Sequence, residues 1–148
     1  VIGMLGNCPE AEDIGQETFI RFYKSLDKFR GESSVGTYLT RIAINLSLNE
    51  FKRRKRQRKF FFSKNKIENT PDNKNRNDQN EIHKIVHLGL QKLEPKFRAV
   101  IVLRLIDGYS TQETAQILNL PLGTVLSRLA RGQIKLKEIL SPLYKGRI

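Results

Sequence analysis

Cys8 is the single cysteine among 148 residues, so the chain has no internal disulfide and no cysteine-based zinc site. That shortage fits a reduced, intracellular protein. Long apolar runs are missing too. None approaches the ~18 residues of a membrane span, and the opening VIGMLGNCPE has neither the basic start nor the apolar run of a signal peptide. Stable membrane insertion and export are both disfavoured. Nor does the sequence carry a Gly-rich phosphate loop, a nucleophile elbow or a paired acidic metal site. His83 and His87 have the i, i+4 spacing of two metal ligands, but lack the intervening carboxylate of a His-Glu-x-x-His arrangement and an evident third ligand. They read as a solvent-facing pair. The expectation is a protein with no cofactor, no metal and no enzymatic chemistry. The chain starts at Val1, not Met, which reads as a piece of a longer protein, and its length allows one ordinary domain or two small ones.

Acidic residues are scarce relative to basic ones: 15 Asp plus Glu face 27 Lys plus Arg, for a net charge of +12. A polyanionic partner follows, nucleic acid first and an anionic membrane surface second. The charge is also uneven. Residues 1–51 are net −2, residues 52–66 (KRRKRQRKFFFSKNK) net +9 with no acid, residues 67–122 neutral and residues 123–148 net +5. Like charges this dense repel unless solvent or a polyanion neutralises them.

The apolar periodicity is helical throughout. Asn7-Cys8-Pro9-Glu10 predicts a helix start with Asn7 as N-cap, and Phe19, Phe22, Tyr23 and Leu26 recur at helical spacing toward Phe29. Arg30 to Ser34 breaks the pattern. A second helix starts near Thr37, repeats Leu39, Ile42, Ala43 and Leu46, and runs into the basic block. Phe60-Phe61-Phe62 after that block is expected to pack back onto the first domain. From 63 to 80 the chain is nearly all Asn, Asp, Lys, Gln and Ser, a composition that predicts a flexible linker able to span at most about 60 Å. Helical periodicity then resumes through Ile82 to Leu90 and Phe97 to Ile106, with a break at Asp107-Gly108-Tyr109. The fold class is therefore all-α, as two small helical domains over 1–62 and 81–148 joined by the linker.

The stretch after that break is the most informative. Ser110-Thr-Gln-Glu113 is a capping box, Asn119-Leu120-Pro121 a tight turn, and Gly123 to Leu140 a longer basic helix, together a helix-turn-helix pattern. Thr124, Ser127, Arg128 and Arg131 fall on one face of the second helix, which in such a motif enters the major groove, while Val125, Leu129 and Leu136 face the core.

Taken together, both halves resemble the extracytoplasmic-function group of bacterial RNA polymerase sigma factors. Ala11-Glu-Asp-Ile-Gly-Gln-Glu-Thr-Phe19, Leu26-Asp-Lys-Phe-Arg-Gly-Glu-Ser-Ser34 and Tyr38-Leu-Thr-Arg-Ile-Ala-Ile-Asn45 are similar to the family's region two. Leu93-Glu-Pro through Val102-Leu-Arg104, Asp107-Gly-Tyr-Ser110, Pro121-Leu-Gly-Thr-Val125 and Ser127-Arg128-Leu129 are similar to its region four. The resemblance implies a cytoplasmic, nucleoid-associated bacterial protein whose partners are core RNA polymerase, promoter DNA and an anti-sigma protein. It implies polymerase contacts at Asp13, Gln16, Glu17 and Phe22. It implies minus-ten contacts at Arg30, Glu32, Ser33, Tyr38, Arg41 and Asn45, where a flipped base of the non-template strand would be held, and minus-thirty-five contacts at Arg104, Thr124, Ser127, Arg128 and Arg131. The chain departs from the family in having Tyr38 where Trp is usual and Leu126 and Ala130 where basic or aromatic residues are common. It also has only VIGMLG before Asn7, which leaves the Phe19 and Phe22 face without its expected cover. Two other readings compete: a helix-turn-helix regulator that binds duplex DNA without polymerase, and an adaptor that binds RNA or an acidic protein through Lys52 to Lys66.

Overall fold

The computed structural model describes residues 1–62 and 78–145. Most of the expected linker, 63–77, lies outside the described residues; its last positions are already helical from Asp78. Among the described residues the regular structure is helical: α1 (Ile2–Leu5), α2 (Pro9–Ser25), α3 (Val35–Phe62), α4 (Asp78–Lys92), α5 (Pro95–Ile101), α6 (Thr111–Leu118) and α7 (Leu122–Lys145).

Local chemistry sets most of the boundaries. Cys8, not Asn7, occupies the N-cap of α2, with extended backbone and no side-chain cap bond, because Pro9 takes the first helical position. Ser34 caps α3 by accepting the Thr37 amide hydrogen at 3.1 Å. That moves the start of the helix to Val35. The same helix then runs unbroken through the basic block, where Arg53 and Arg54 reach back to Glu50 at 2.8 and 3.0 Å. Helical side chains spaced three or four apart meet in this way. Arg54 also approaches Glu10 at 3.7 Å, tying α3 to the start of α2. Phe60 and Phe61 do not fold back as expected. Both are exposed near the end of α3, stacked edge to face at 6.3 Å, since the straight helix carries them away from the apolar residues of the first half. α5 widens into a π-turn over Val102–Ile106, closed by the Asp107 amide donating to the Val102 carbonyl at 2.9 Å.

Among the described residues, two apolar clusters hold the helices together. Leu90, Leu93, Phe97 and Ile101 form one within the second half, flanked by Val86, Leu129, Leu136 and Ile139. Gly89 lets α4 approach α7: a Cβ there would stand 2.6 Å from Leu140 Cδ2. The other cluster is shared. Met4, Leu5, Ala11 and Ile44 from the first half pack with Ala99, Val102, Leu103 and Ile117 from the second.

Arg98 is built into this seam. The residue is buried, and its guanidinium donates to the carbonyls of Met4 at 2.6 Å, Gln91 at 2.7 Å and Leu93 at 2.7 Å, while lying 4.6 Å from the Phe51 ring centroid. Burial first, and then the like charge of Arg54, pushes its pKa down to about 10, so it stays charged at neutral pH. Removing it strands three carbonyl acceptors, two of them buried. Arg98→Met is therefore expected to cost about 3 kcal/mol of folding stability, read from chemical denaturation.

Candidate nucleic-acid interface

The loop between α2 and α3 and the first turns of α3 form a polar hollow of about 340 Å³, lined by Lys28, Phe29, Arg30, Glu32, Ser33, Tyr38 and Arg41. Its floor is aromatic. Phe22, Phe29 and Tyr38 pack with ring centroids 5.2 to 6.2 Å apart, so α2, the loop and α3 are pinned to one another. Gly31 takes a positive φ of 69° to turn the loop back over this floor. Asn45 does not line the hollow; it is exposed one turn beyond Arg41 on the helical face that carries Tyr38.

The second half contributes the remaining wall through Gln116 of α6. Arg41 Nη2 donates to the Gln116 carbonyl at 3.0 Å, and the Thr40 and Tyr109 hydroxyls share a hydrogen bond of 2.8 Å. The Arg41 Nε is buried without a hydrogen-bond partner. Gln116 was not legible as a site residue, because only the docking of the halves brings α6 here.

The expected polymerase-binding set separates. Asp13 and Gln16 are exposed on α2, and Glu17 pairs with Arg21 at 2.7 Å, whereas Phe22 is turned inward onto Phe29 and Tyr38. Phe19, Ile20 and Tyr23, read as part of an apolar stripe or passed over, are strongly exposed beside the acidic residues.

In the helix-turn-helix, the Ser110 hydroxyl accepts from the Glu113 amide at 3.1 Å and Glu113 accepts from the Ser110 amide at 2.7 Å, which forms the expected capping box. Asn119 turns the chain in the left-handed region at φ 52°, and Val125 is fully buried. Ser127 and Arg131 are exposed on α7 and Thr124 is half-buried. Arg128 instead lines a groove at the seam with Leu48, Phe51, Lys52 and Lys55 of α3. Arg104 is half-buried and donates to the Tyr109 carbonyl, holding the loop that precedes α6.

The Glu113 carboxylate is held below its ordinary 4.5 by the Ser110 backbone amide and then the Ser110 side chain. A lowered folded pKa means that its contribution is complete above the unfolded value and is lost as pH falls through the folded one. Glu113→Ala is thus expected to lower the melting temperature at pH 7, and that difference is expected to shrink as the pH drops below 4.5.

Comparisons with known proteins give the family. Residues 2–57 match Sigma-70 region 2, and residues 83–136 match Sigma-70, region 4. The chain is 35% identical to the ECF RNA polymerase sigma factor SigW of Bacillus subtilis, covering 95% of this chain and 80% of that protein. It is 30% identical to the RNA polymerase sigma-H factor of Pseudomonas aeruginosa, covering 98% and 80%. Among solved structures it is similar in fold to the sigma factor RpoE in complex with the anti-sigma factor NepR from Bartonella quintana (TM-score 0.73, 23% identity, 95% of this chain and 86% of that one). It is likewise similar to CnrH in complex with the cytosolic domain of CnrY (TM-score 0.63, 26% identity, 88% and 71%). The chain belongs to the extracytoplasmic-function group of RNA polymerase sigma factors, non-enzymatic proteins of transcription initiation.

Proposed function

We propose that the two halves divide promoter recognition between them, with residues 1–62 docking on core polymerase and capturing the minus-ten strand, and residues 81–148 reading the minus-thirty-five duplex. The observation that carries this reading is the polar hollow around Arg30, Tyr38 and Arg41, floored by aromatic rings and continued along α3 by exposed Asn45. Aromatic faces stack on unpaired bases, arginine neutralises the strand, and an Asn amide offers both a donor and an acceptor to a base edge.

Asp13, Gln16 and Glu17 supply the polymerase-facing surface, widened by exposed Phe19, Ile20 and Tyr23. Phe22 acts through the hollow it supports. On α7, Ser127 and Arg131 make the duplex contacts available in this arrangement, with Thr124 at their N-terminal edge. Arg104 positions the loop before the brace helix. The exposed Lys52, Lys55, Arg56, Arg58 and Lys59 add sequence-independent phosphate contacts.

Among the described residues no helix is long and apolar enough to cross a membrane. We place the protein in the cytoplasm, working at the nucleoid. By analogy with RpoE, solved in complex with the anti-sigma factor NepR, a protein of the anti-sigma class is a further partner.

A promoter selected from a randomised library by core polymerase plus this chain provides the test. Asn45→Ala is expected to leave polymerase binding unchanged and to reduce open-complex formation about tenfold, measured by permanganate reactivity of the melted strand; unchanged opening would remove the base-capture role. Arg58→Ala with Lys59→Ala is expected to make the fall of promoter affinity with log salt shallower by about one to two units, whatever the sequence.

A further inference from the structure

The groove that Arg128 shares with α3 is a cavity of about 420 Å³, and its chemistry differs from that of the polar hollow. Its wall is apolar: Leu48 and Phe51 come from α3, Pro95 and Ala99 from α5, Leu118 from α6 and Leu120 from the turn that follows. Every polar residue lining it is charged. Lys52, Lys55, Lys96 and Arg128 stand there with a single carboxylate, that of Glu94, and no neutral hydrogen-bonding side chain joins them. We infer that this cavity binds a small anionic amphiphile, a fatty carboxylate, with its hydrocarbon chain against Phe51 and the leucines and its head among the lysines and Arg128.

The charge is the first argument. Glu94 is already engaged, 3.4 Å from Lys96 Nζ and 3.6 Å from Lys135 Nζ. Among the described residues Lys52, Lys55 and Arg128 have no carboxylate partner. Cations gathered beside a low-dielectric wall focus a positive field, which an anionic head relieves. Arg128 is half-buried and Lys52 and Lys55 are exposed, so the charge lies toward the mouth and the apolar surface behind it.

The wall is the second argument. Leu48, Phe51 and Leu118 pack against the buried cluster that joins the halves, and the Arg98 guanidinium stacks on the Phe51 ring at 4.6 Å. The surface is thus formed before any ligand arrives, which lowers the ordering cost of binding. Its composition selects the ligand. A nucleotide base or a sugar brings donors and acceptors that lose water on entry, and no neutral side chain here receives them. A saturated chain has nothing to pair. The volume falls in the range of roughly 300–1,000 Å³ typical of small-molecule sites. A single turn of α-helix with its side chains, about 10 Å across and 5.4 Å long, would take up the whole of it. The site therefore suits one acyl chain better than a partner helix. It stands apart from the promoter reading, although a head held by Lys52, Lys55 and Arg128 would occupy cations that reading gives to phosphates.

Calorimetric titration of the full chain with dodecanoate, below its micelle-forming concentration, is the test. One molecule is expected to bind per chain. Each methylene taken from water is worth about fourfold in affinity, so the shorter octanoate is expected to bind at least about tenfold more weakly. Dodecylamine, with the same chain and a cationic head, is expected to lose about as much. Lys52→Glu with Lys55→Glu is expected to weaken dodecanoate about tenfold or more, whereas Arg58→Glu with Lys59→Glu, an equal charge change on α3 outside the cavity, is expected to change it less than about twofold. All four positions are exposed, and circular dichroism checks that each variant keeps its helix content. Methyl resonances of Leu48, Leu118 and Leu120 are expected to shift on titration, which locates the chain without any substitution. Absence of binding overturns the inference. So do several molecules per chain with equal loss in both charge variants, since that is adsorption to a basic surface. Equal binding of dodecylamine overturns the assigned head site, and methyl shifts confined to other residues overturn the cavity.

Discussion

A guanidinium buried in a protein must find acceptors, and Arg98 finds them on separate parts of the chain. Its hydrogens go to carbonyls of Met4, Gln91 and Leu93, and its face lies against Phe51. Loss of these partners would leave a charge in a poor medium, so the arginine effectively dictates that α1 and α3 lie against α4 and α5. The shared cluster of Met4, Leu5, Ala11, Ile44, Ala99, Val102, Leu103 and Ile117 closes around that arrangement. Elements that would otherwise belong to separate small bundles become parts of one seam. The placement of α6 beside the polar hollow follows from this packing.

Local chemistry could be read from the sequence and tertiary docking could not. The capping box Ser110 to Glu113, the turn at Asn119 and the inward face of Val125, Leu129 and Leu136 depend on neighbours within a few positions, and they stand where periodicity and turn chemistry place them. The aromatic floor was half legible. Phe22 is recognisable as apolar, but whether it meets a partner protein or Phe29 and Tyr38 depends on a loop geometry set by Gly31. Arg98 looked like an ordinary basic residue because its acceptors are backbone carbonyls, which leave no mark in a sequence. Gln116 and Arg128 were opaque for a related reason. A glutamine on a short helix and an arginine on a basic stripe acquire their surroundings only once α6 and α7 dock on α3.

The contrast within α3 shows how one helix serves unlike demands. Its first turns, capped by Ser34, hold Tyr38 and Arg41 at the hollow; its middle buries Ile44 and Ser47; its last turns carry exposed cations. Glu50 marks the transition, since its carboxylate gathers Arg53 and Arg54 and is held below the ordinary range by Arg53 first and then Arg54, against the opposing effect of burial. Two of the basic block's arginines are thereby paired within the helix. The cations beyond them remain exposed on the same helix that opens at the hollow, so on the proposed reading a captured strand would meet positive charge without further folding of the chain.

This asymmetry of exposure implies an order of events on the proposed reading. Ser127 and Arg131 are exposed while the halves are together, whereas Arg41 is half-buried and its guanidinium is engaged by the Gln116 carbonyl. Contact with duplex DNA through α7 therefore needs no rearrangement, but strand capture must displace the Gln116 carbonyl and break the Thr40 to Tyr109 bond. A phosphate offers Arg41 a charge-assisted bond in exchange for a neutral one, and it also gives the unpaired Nε an acceptor. The exchange is favourable at that atom. What opposes it is the apolar seam around Met4, Leu5 and Ile117, whose separation returns buried surface to water at roughly 25 cal/mol per Å². Any partner that binds the separated halves better than the joined pair would tip that balance.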